Sequence, residues 1–373
     1  MIIAGLVGAG GWLAASRVAR LRAAEPDPLV ARVTRPHDLE TALGALDEEF
    51  TPNDRFFVRS HFGPAVIEER HFRLEIAGLV RKPLALSIAD LRTLPKVTVP
   101  AVLQCSGNGR GLYRPRVPGA QWERGAVGQA AWSGVRLGDL LRHAGIKPEG
   151  KFVRLLGGER PPMPKTPVFA RSITIEKALH PATLIAYEMN GAPLPLLHGA
   201  PLRAVVPGWV GDDWVKWLRS IRVESAEDAG FYMKTGYRVP DPPVKPGETP
   251  KPESMRAMTS MVVKAIITRP VAGARLAGGA VIGGFAFAGE RAVRAVEVST
   301  DGGRTWRAAA VAPSKGIGSW QRFELPWKPA PGRHRLLARA TDESGVTQPE
   351  RPAWNPGGYL WNGWDDVSCE VTS

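Results

Sequence analysis

A proline-dense strap divides this chain. Between residues 240 and 252 stand Pro240, Pro242, Pro243, Pro246, Pro250 and Pro252, with Lys245, Gly247 and Lys251 among them. Each proline fixes φ and removes a backbone donor, so no helix interior or central strand runs through such a stretch. The segment reads as a stiff, extended connector, and the chain on either side of it must fold as separate bodies. A length of 373 residues leaves room for two or three domains, each able to bury a core.

The two sides differ in character. Beyond the strap, short apolar runs at 262–267, 280–287, 292–300, 320–325 and 333–342 alternate with turn signals. Asp301-Gly302-Gly303 suits a tight hairpin between two of them. Strands so spaced predict an immunoglobulin-like β-sandwich over residues 258–373. Before the strap the pattern is mixed. Residues 72–76 alternate as a strand, Ser87 caps a helical turn in an S-x-x-D-L run, and a β-branched run over 97–103 ends at Cys105. Residues 136–144 predict a helix stopped by Gly145, and 202–207 another strand. With 41 Gly and 34 Pro, the chain favours short elements. The expectation is an α+β chain whose first large domain covers 31–257.

Residues 1–30 stand apart. The run 2–15 is apolar and rich in Gly and Ala, with Arg17, Arg20 and Arg22 after it. It is short for a membrane span and resembles the apolar core of an export signal, which predicts a periplasmic protein; a membrane anchor and an ordinary terminal helix, with a tethered or cytoplasmic location, are the alternatives. Charge bears on partners: 49 Lys+Arg against 36 Asp+Glu give +13, so anionic partners are favoured. Two cysteines exclude a disulfide framework and a cysteine-rich metal cluster, and without C-x-x-C-H no covalent haem is held.

Three segments could carry chemistry. In Leu103-Gln104-Cys105-Ser106-Gly107-Asn108-Gly109-Arg110, a cysteine ends an apolar strand and faces a flexible, cationic turn. A buried structural thiol, a nucleophile lacking a base nearby, and a single soft-metal ligand completed by a cofactor all fit. In Phe56-Phe57-Val58-Arg59-Ser60-His61, a strand would put Arg59 and His61 on one face, as an oxyanion clamp or as an ordinary polar surface. In the stretch from His198 through Arg203 to Trp214-Val215-Lys216-Trp217, cations separated by Gly and Pro turns could cradle a phosphate or be scattered surface charge.

Taken in order, F-F-V-R-S-H, L-Q-C-S-G-N-x-R, A-Y-E-M-N-G-x-P-L-P (186–195), H-G-x-P-L-R and V-K-W-L resemble the sulfite oxidase family of molybdenum enzymes. The resemblance covers the chain from about Thr51 onward. It implies that Cys105 ligates molybdenum. It further implies that Phe56, Phe57, Val58, Arg59, Ser60, His198, Arg203, Trp214, Val215 and Lys216 contact a molybdopterin. Arg59 would also bind a substrate oxyanion, with His61 and Arg110 in the pocket and Tyr237 close to the oxo group. The implied reaction is oxidation of sulfite to sulfate, with electrons leaving to an external c-type cytochrome and a homodimer formed through the C-terminal domain. No nucleic-acid partner is implied.

The sequence departs from the family pattern in three places, one being Gly109, which stands where animal enzymes have a cation beside the cysteine and suits the bacterial branch. Gly357, in Trp354-Asn355-Pro356-Gly357-Gly358-Tyr359, stands where sulfite oxidases place a further substrate arginine, so that cation is missing or comes from elsewhere. An aspartate expected among the pterin contacts is not evident in 157–169. These departures leave open another small substrate, such as a sulfane sulfur, a sulfoxide or nitrate. A basic, non-enzymatic binding module is the remaining alternative; it would bind nucleic acid in a salt-dependent way.

Overall fold

The computed structural model describes residues 29–372. The apolar run 2–15 and its arginines lie outside the described residues. The chain enters as a hairpin, β1 (Leu29–Thr34) against β2 (His37–Thr41). The first domain then builds two five-stranded sheets. One contains β3 (Leu74–Gly78) and β4 (Leu84–Leu86), which α1 (Ile88–Thr93) follows; the other begins with β5 (Val97–Gln104) and β6 (Val127–Arg136), which leads into α2 (Leu137–Ala144). The first sheet is completed by β7 (Phe152–Gly157) and β8 (Ala170–Thr174), followed by α3 (Ile175–Leu179). The second gains β9 (Leu184–Met189), β10 (Ala192–Pro193) and β11 (Arg203–Val205), before β12 (Leu218–Glu224) returns to the first.

Local chemistry explains the short helices. Ser87 caps α1 reciprocally with Asp90, satisfying two otherwise free donors. Gly145 closes α2 at φ 72, a conformation that costs glycine little. The expected strands over 72–76 and 202–207 are shifted or shorter, at Leu74–Gly78 and Arg203–Val205, because the flanking residues turn into loops. Phe56, Trp132, Trp122 and Trp214 are buried in the core between the sheets.

The second domain packs a four-stranded sheet against a five-stranded one over its own core. Its strand Ala280–Phe287 falls where the sequence placed it. Between Val293–Ser299 and Arg307–Ala308 the chain reverses through Asp301-Gly302-Gly303, the two strands pairing antiparallel. A third apolar cluster joins the domains: Val102, Val127 and Val210 meet Ile266, Phe285, Phe287 and Trp320. Hydrogen bonds reinforce this seam, from Val102 N to Gly318 O at 2.8 Å and from Trp320 N to the Gln129 side chain at 2.8 Å. Arg124 of the first domain meets fully buried Asp365 of the second at 3.0 Å.

Candidate active site

The turn after β5 presents the cysteine. Cys105 N donates to Ala126 O at 3.0 Å, and Asn108 ties the turn down by bonding Gln104 and Ala126 N, both at 3.1 Å. Gly109 sits at φ 92 against Trp361, where a Cβ would come within 2.7 Å of that side chain. Cys105 itself lines a cavity together with Phe57, Arg59, Ser60, His61, Tyr237, His198, Arg203, Trp214 and Lys216. The thiol is buried, and burial pushes it up to about 11, against the pull of Arg59 and Arg110.

Residues 56–61 do not form the strand expected of them. Only Val58 bridges, to Leu39, so side-chain alternation does not apply and Arg59, Ser60 and His61 in succession all reach the cavity. Arg59 bonds Ser60 O and lies 3.4 Å from buried Asp38. The His61 Nε2 lies 2.6 Å from the Tyr237 hydroxyl, and its ring stacks on Phe169 at 4.2 Å between centroids. Burial holds His61 well below its ordinary value and Tyr237 well above its own, so both stay neutral. Tyr237 adopts φ 57, a left-handed conformation rare for an aromatic residue, with the Arg171 guanidinium 5.4 Å from its ring centroid.

Arg110 is placed differently from the expectation. It does not line the cavity: its Nε donates to Gly357 O at 3.0 Å, its Nη1 to Ala120 O at 3.2 Å, and it stacks 5.1 Å from the Tyr359 centroid. A Cβ on Gly107, Gly119 or Gly358 would collide with it, so glycines wall its seat. The cation absent at position 357 thus has a counterpart: Gly357 offers a carbonyl that holds Arg110 behind the cysteine.

Of the other cations in the lining, Lys216 feels Glu159 and Asp38, whereas Arg203 has no acidic neighbour. Arg203 is fully buried and donates only to carbonyls, to His198 O at 2.9 Å and Trp214 O at 3.1 Å, while its plane lies 4.8 Å from the Trp132 centroid. Burial alone pushes it down to about 9. Lys216 donates to Leu197 O at 2.9 Å, and His198 bonds Asn53 O at 2.9 Å. Phe56, Val58 and Val215 stand behind these walls in the core.

Sequence reasoning passed over several cavity residues. Asp212, Glu159 and Phe169 all line it. They come from loops with no hydrophobic period, and only Asp212, inside the quoted 198–217 stretch, carried a signal. Among the described residues no cluster of three or more His, Cys, Asp or Glu is arranged to hold a metal. A metal at Cys105 therefore needs ligands brought by a cofactor.

Residues 61–232 match the oxidoreductase molybdopterin binding domain, and residues 255–372 match the Mo-co oxidoreductase dimerisation domain. Sulfite oxidase of Gallus gallus is 36% identical over 88% of this chain and 75% of its own length. The chain belongs to the sulfite oxidase family. Sulfite oxidase of Arabidopsis thaliana is 32% identical over 91% of this chain and 93% of that protein. Of the mitochondrial sulfite oxidase of Mus musculus, the match spans 64%. Among solved structures, the sulfane dehydrogenase SoxCD of Paracoccus pantotrophus aligns over 90% of this chain and 87% of its own, with a TM-score of 0.75 and 29% identity.

Sulfite oxidase-family membership makes this an oxidoreductase with a molybdenum–molybdopterin cofactor, and the cavity suits that group. It joins a lone soft thiolate donor to a buried guanidinium that lacks an anion. A molybdenum with sulfur ligands and an anionic pterin tail match those two ends. Family membership also removes the reading as a basic binding module.

Proposed function

We propose that this protein oxidises sulfite to sulfate, consuming water and releasing two electrons and two protons. The observation that carries the reading is that Cys105 and the unneutralised Arg203 line one cavity together with Arg59, His61 and Tyr237. When bound, molybdenum–molybdopterin would supply an oxygen atom and accept the electron pair.

Each side chain has a task in this reading. Cys105 ligates the metal as thiolate, the form that coordination favours over the buried thiol. Arg203, Lys216 and His198 hold the anionic end of the pterin, with Trp214 and Phe57 as its walls and Phe56, Val58 and Val215 bracing them. Arg59 and Ser60 lie where cofactor and substrate meet, and the Arg59 guanidinium receives the oxyanion. Arg110 adds positive field from behind Cys105 without touching substrate. His61 and Tyr237 hold and pass a proton at their shared hydrogen bond.

The electrons leave to an external c-type cytochrome, and the C-terminal sandwich pairs two copies of the chain. The apolar run 2–15 supports export to the periplasm, which cell fractionation tests. A second reading is oxidation of a sulfane sulfur, favoured by the similarity to SoxCD. The deciding experiment is metal analysis of protein from a molybdopterin-producing host, beside sulfite-dependent reduction of cytochrome c. Stoichiometric molybdenum with sulfite turnover, both lost in Cys105→Ser, supports the proposal. Molybdenum with turnover only of a sulfane sulfur gives the second reading its place.

A further inference from the structure

One acidic side chain in the cavity has no task in that scheme. Asp212 lies on the short turn Gly211–Asp213, which approaches so closely that a Cβ on Gly211 would stand 2.9 Å from Gln104 O. This approach sets Asp212 beside Cys105. Its residue is 8% exposed and lines the cavity, and its Oδ2 and the Ser106 hydroxyl that faces it are both buried without a hydrogen-bond partner. A buried carboxylate oxygen left bare is costly, which points to a donor that arrives with a ligand.

Of the three cations around Asp212, Arg171 and Arg110 are tied to other partners, and Arg59 is the one that receives the oxyanion. Asp212 faces Arg171, Ser106, Arg59 and Arg110. Arg171 is bound to Asp213 at 2.8 Å and to Tyr232 O, Arg59 to Asp38 and Ser60 O, and Arg110 to two backbone carbonyls. The acidic groups nearby, Cys105, Tyr237 and Tyr359, all feel its negative charge. A fully deprotonated oxyanion entering here meets that carboxylate; an anion that still carries a proton can bond it.

We propose that Asp212 is a specificity-determining residue that selects the protonated form of a sulfur oxyanion. Its carboxylate accepts a hydrogen bond from the O–H of hydrogensulfite and repels the sulfite dianion; oxidation of hydrogensulfite then releases three protons where sulfite releases two. This inference rests on the reading of the cavity as a sulfur-oxyanion site and deepens it. It also gives the product a reason to leave, because sulfate at neutral pH is a dianion with no proton to offer.

The test uses inorganic sulfate as probe, titrated calorimetrically into molybdenum-loaded wild type, Asp212→Asn and Asp212→Ser. Both variants remove the charge, so either suffices if the other does not fold; molybdenum content verifies the fold. Sulfate should bind at least tenfold more tightly to the variants. The wild-type KM for total sulfite should rise with pH as hydrogensulfite loses its proton, and this rise should flatten in the variants while kcat changes less. Equal sulfate affinity in wild type and variants, with sulfite turnover intact, overturns the assignment of Asp212 and leaves the proposed function standing. Molybdenum-loaded wild type that neither binds sulfate nor oxidises sulfite overturns both.

Discussion

The His61 imidazole and the Tyr237 hydroxyl share one hydrogen bond of 2.6 Å inside the cavity. Both groups are neutral, and the Glu159 carboxylate 3.9 Å from Nδ1 favours the imidazole proton there, in which tautomer the hydroxyl donates to Nε2. Glu159 also accepts the His61 backbone N–H at 3.1 Å, which fixes where the ring begins. Removing the hydroxyl leaves a buried acceptor bare. Tyr237→Phe should lower kcat by on the order of tenfold to a hundredfold. Molybdenum content should be unchanged, as metal-normalised steady-state kinetics would show.

Arg203 makes opposite demands on the empty and the loaded protein. A guanidinium buried without an anion is a burden until the ligand arrives. Arg203→Met should therefore raise the thermal stability of cofactor-free protein, by about 1–4 kcal/mol. The same variant should purify with less than a tenth of the wild-type molybdenum. Calorimetry and metal analysis on one preparation read both effects.

Acid should loosen the fold through the cavity histidines. Burial pushes His198 down to about 3 and holds His61 low as well. Below the ordinary value of 6.5, the unfolded chain takes up protons that the native chain refuses, so stability falls as pH falls. His198 contributes about 1.4 kcal/mol per pH unit between its ordinary and folded values. Asp213, pushed up to about 6, acts in the opposite direction between its ordinary and folded values. Urea midpoints of wild type and His198→Gln isolate the histidine: the wild type should lose stability more steeply between pH 6.5 and pH 4.

The seat of Arg110 is equally testable. A methyl at position 107 would stand 2.8 Å from its Nη2. Gly107→Ala should displace the guanidinium from the Gly357 and Ala120 carbonyls and weaken the field behind Cys105. We expect a fall in kcat/KM of roughly tenfold, the scale of one charge-assisted hydrogen bond. Metal content should stay near wild type.

Local signals made much of this readable in advance. Ser87, Gly145 and the apolar run at 280–287 act within a few residues of themselves, and the structure places their elements accordingly. The Cys105 turn was conspicuous for the same reason. Asp212, Glu159 and Phe169 were not, because loops bring them to the cavity and no period marks a loop. The strand expected at 56–61 failed because alternation assumes a ladder, and here only one bridge exists. The seat of Arg110 depends on a carbonyl 247 positions away, a pairing that no window of sequence contains.

The loop after Trp354 belongs by sequence to the second domain, yet it grips the first domain's cysteine turn. Leu360 N donates to Ser106 O at 2.8 Å, Tyr359 O accepts from Tyr113 at 2.7 Å, and Gly357 O holds Arg110. The C-terminal module is thus a part of the reaction vessel. Recombining the first module with a foreign sandwich would carry over the cofactor seat and leave the chemistry around it unfinished. Lineages that exchange or drift in this loop would retune what the enzyme oxidises without altering a single ligand of the metal.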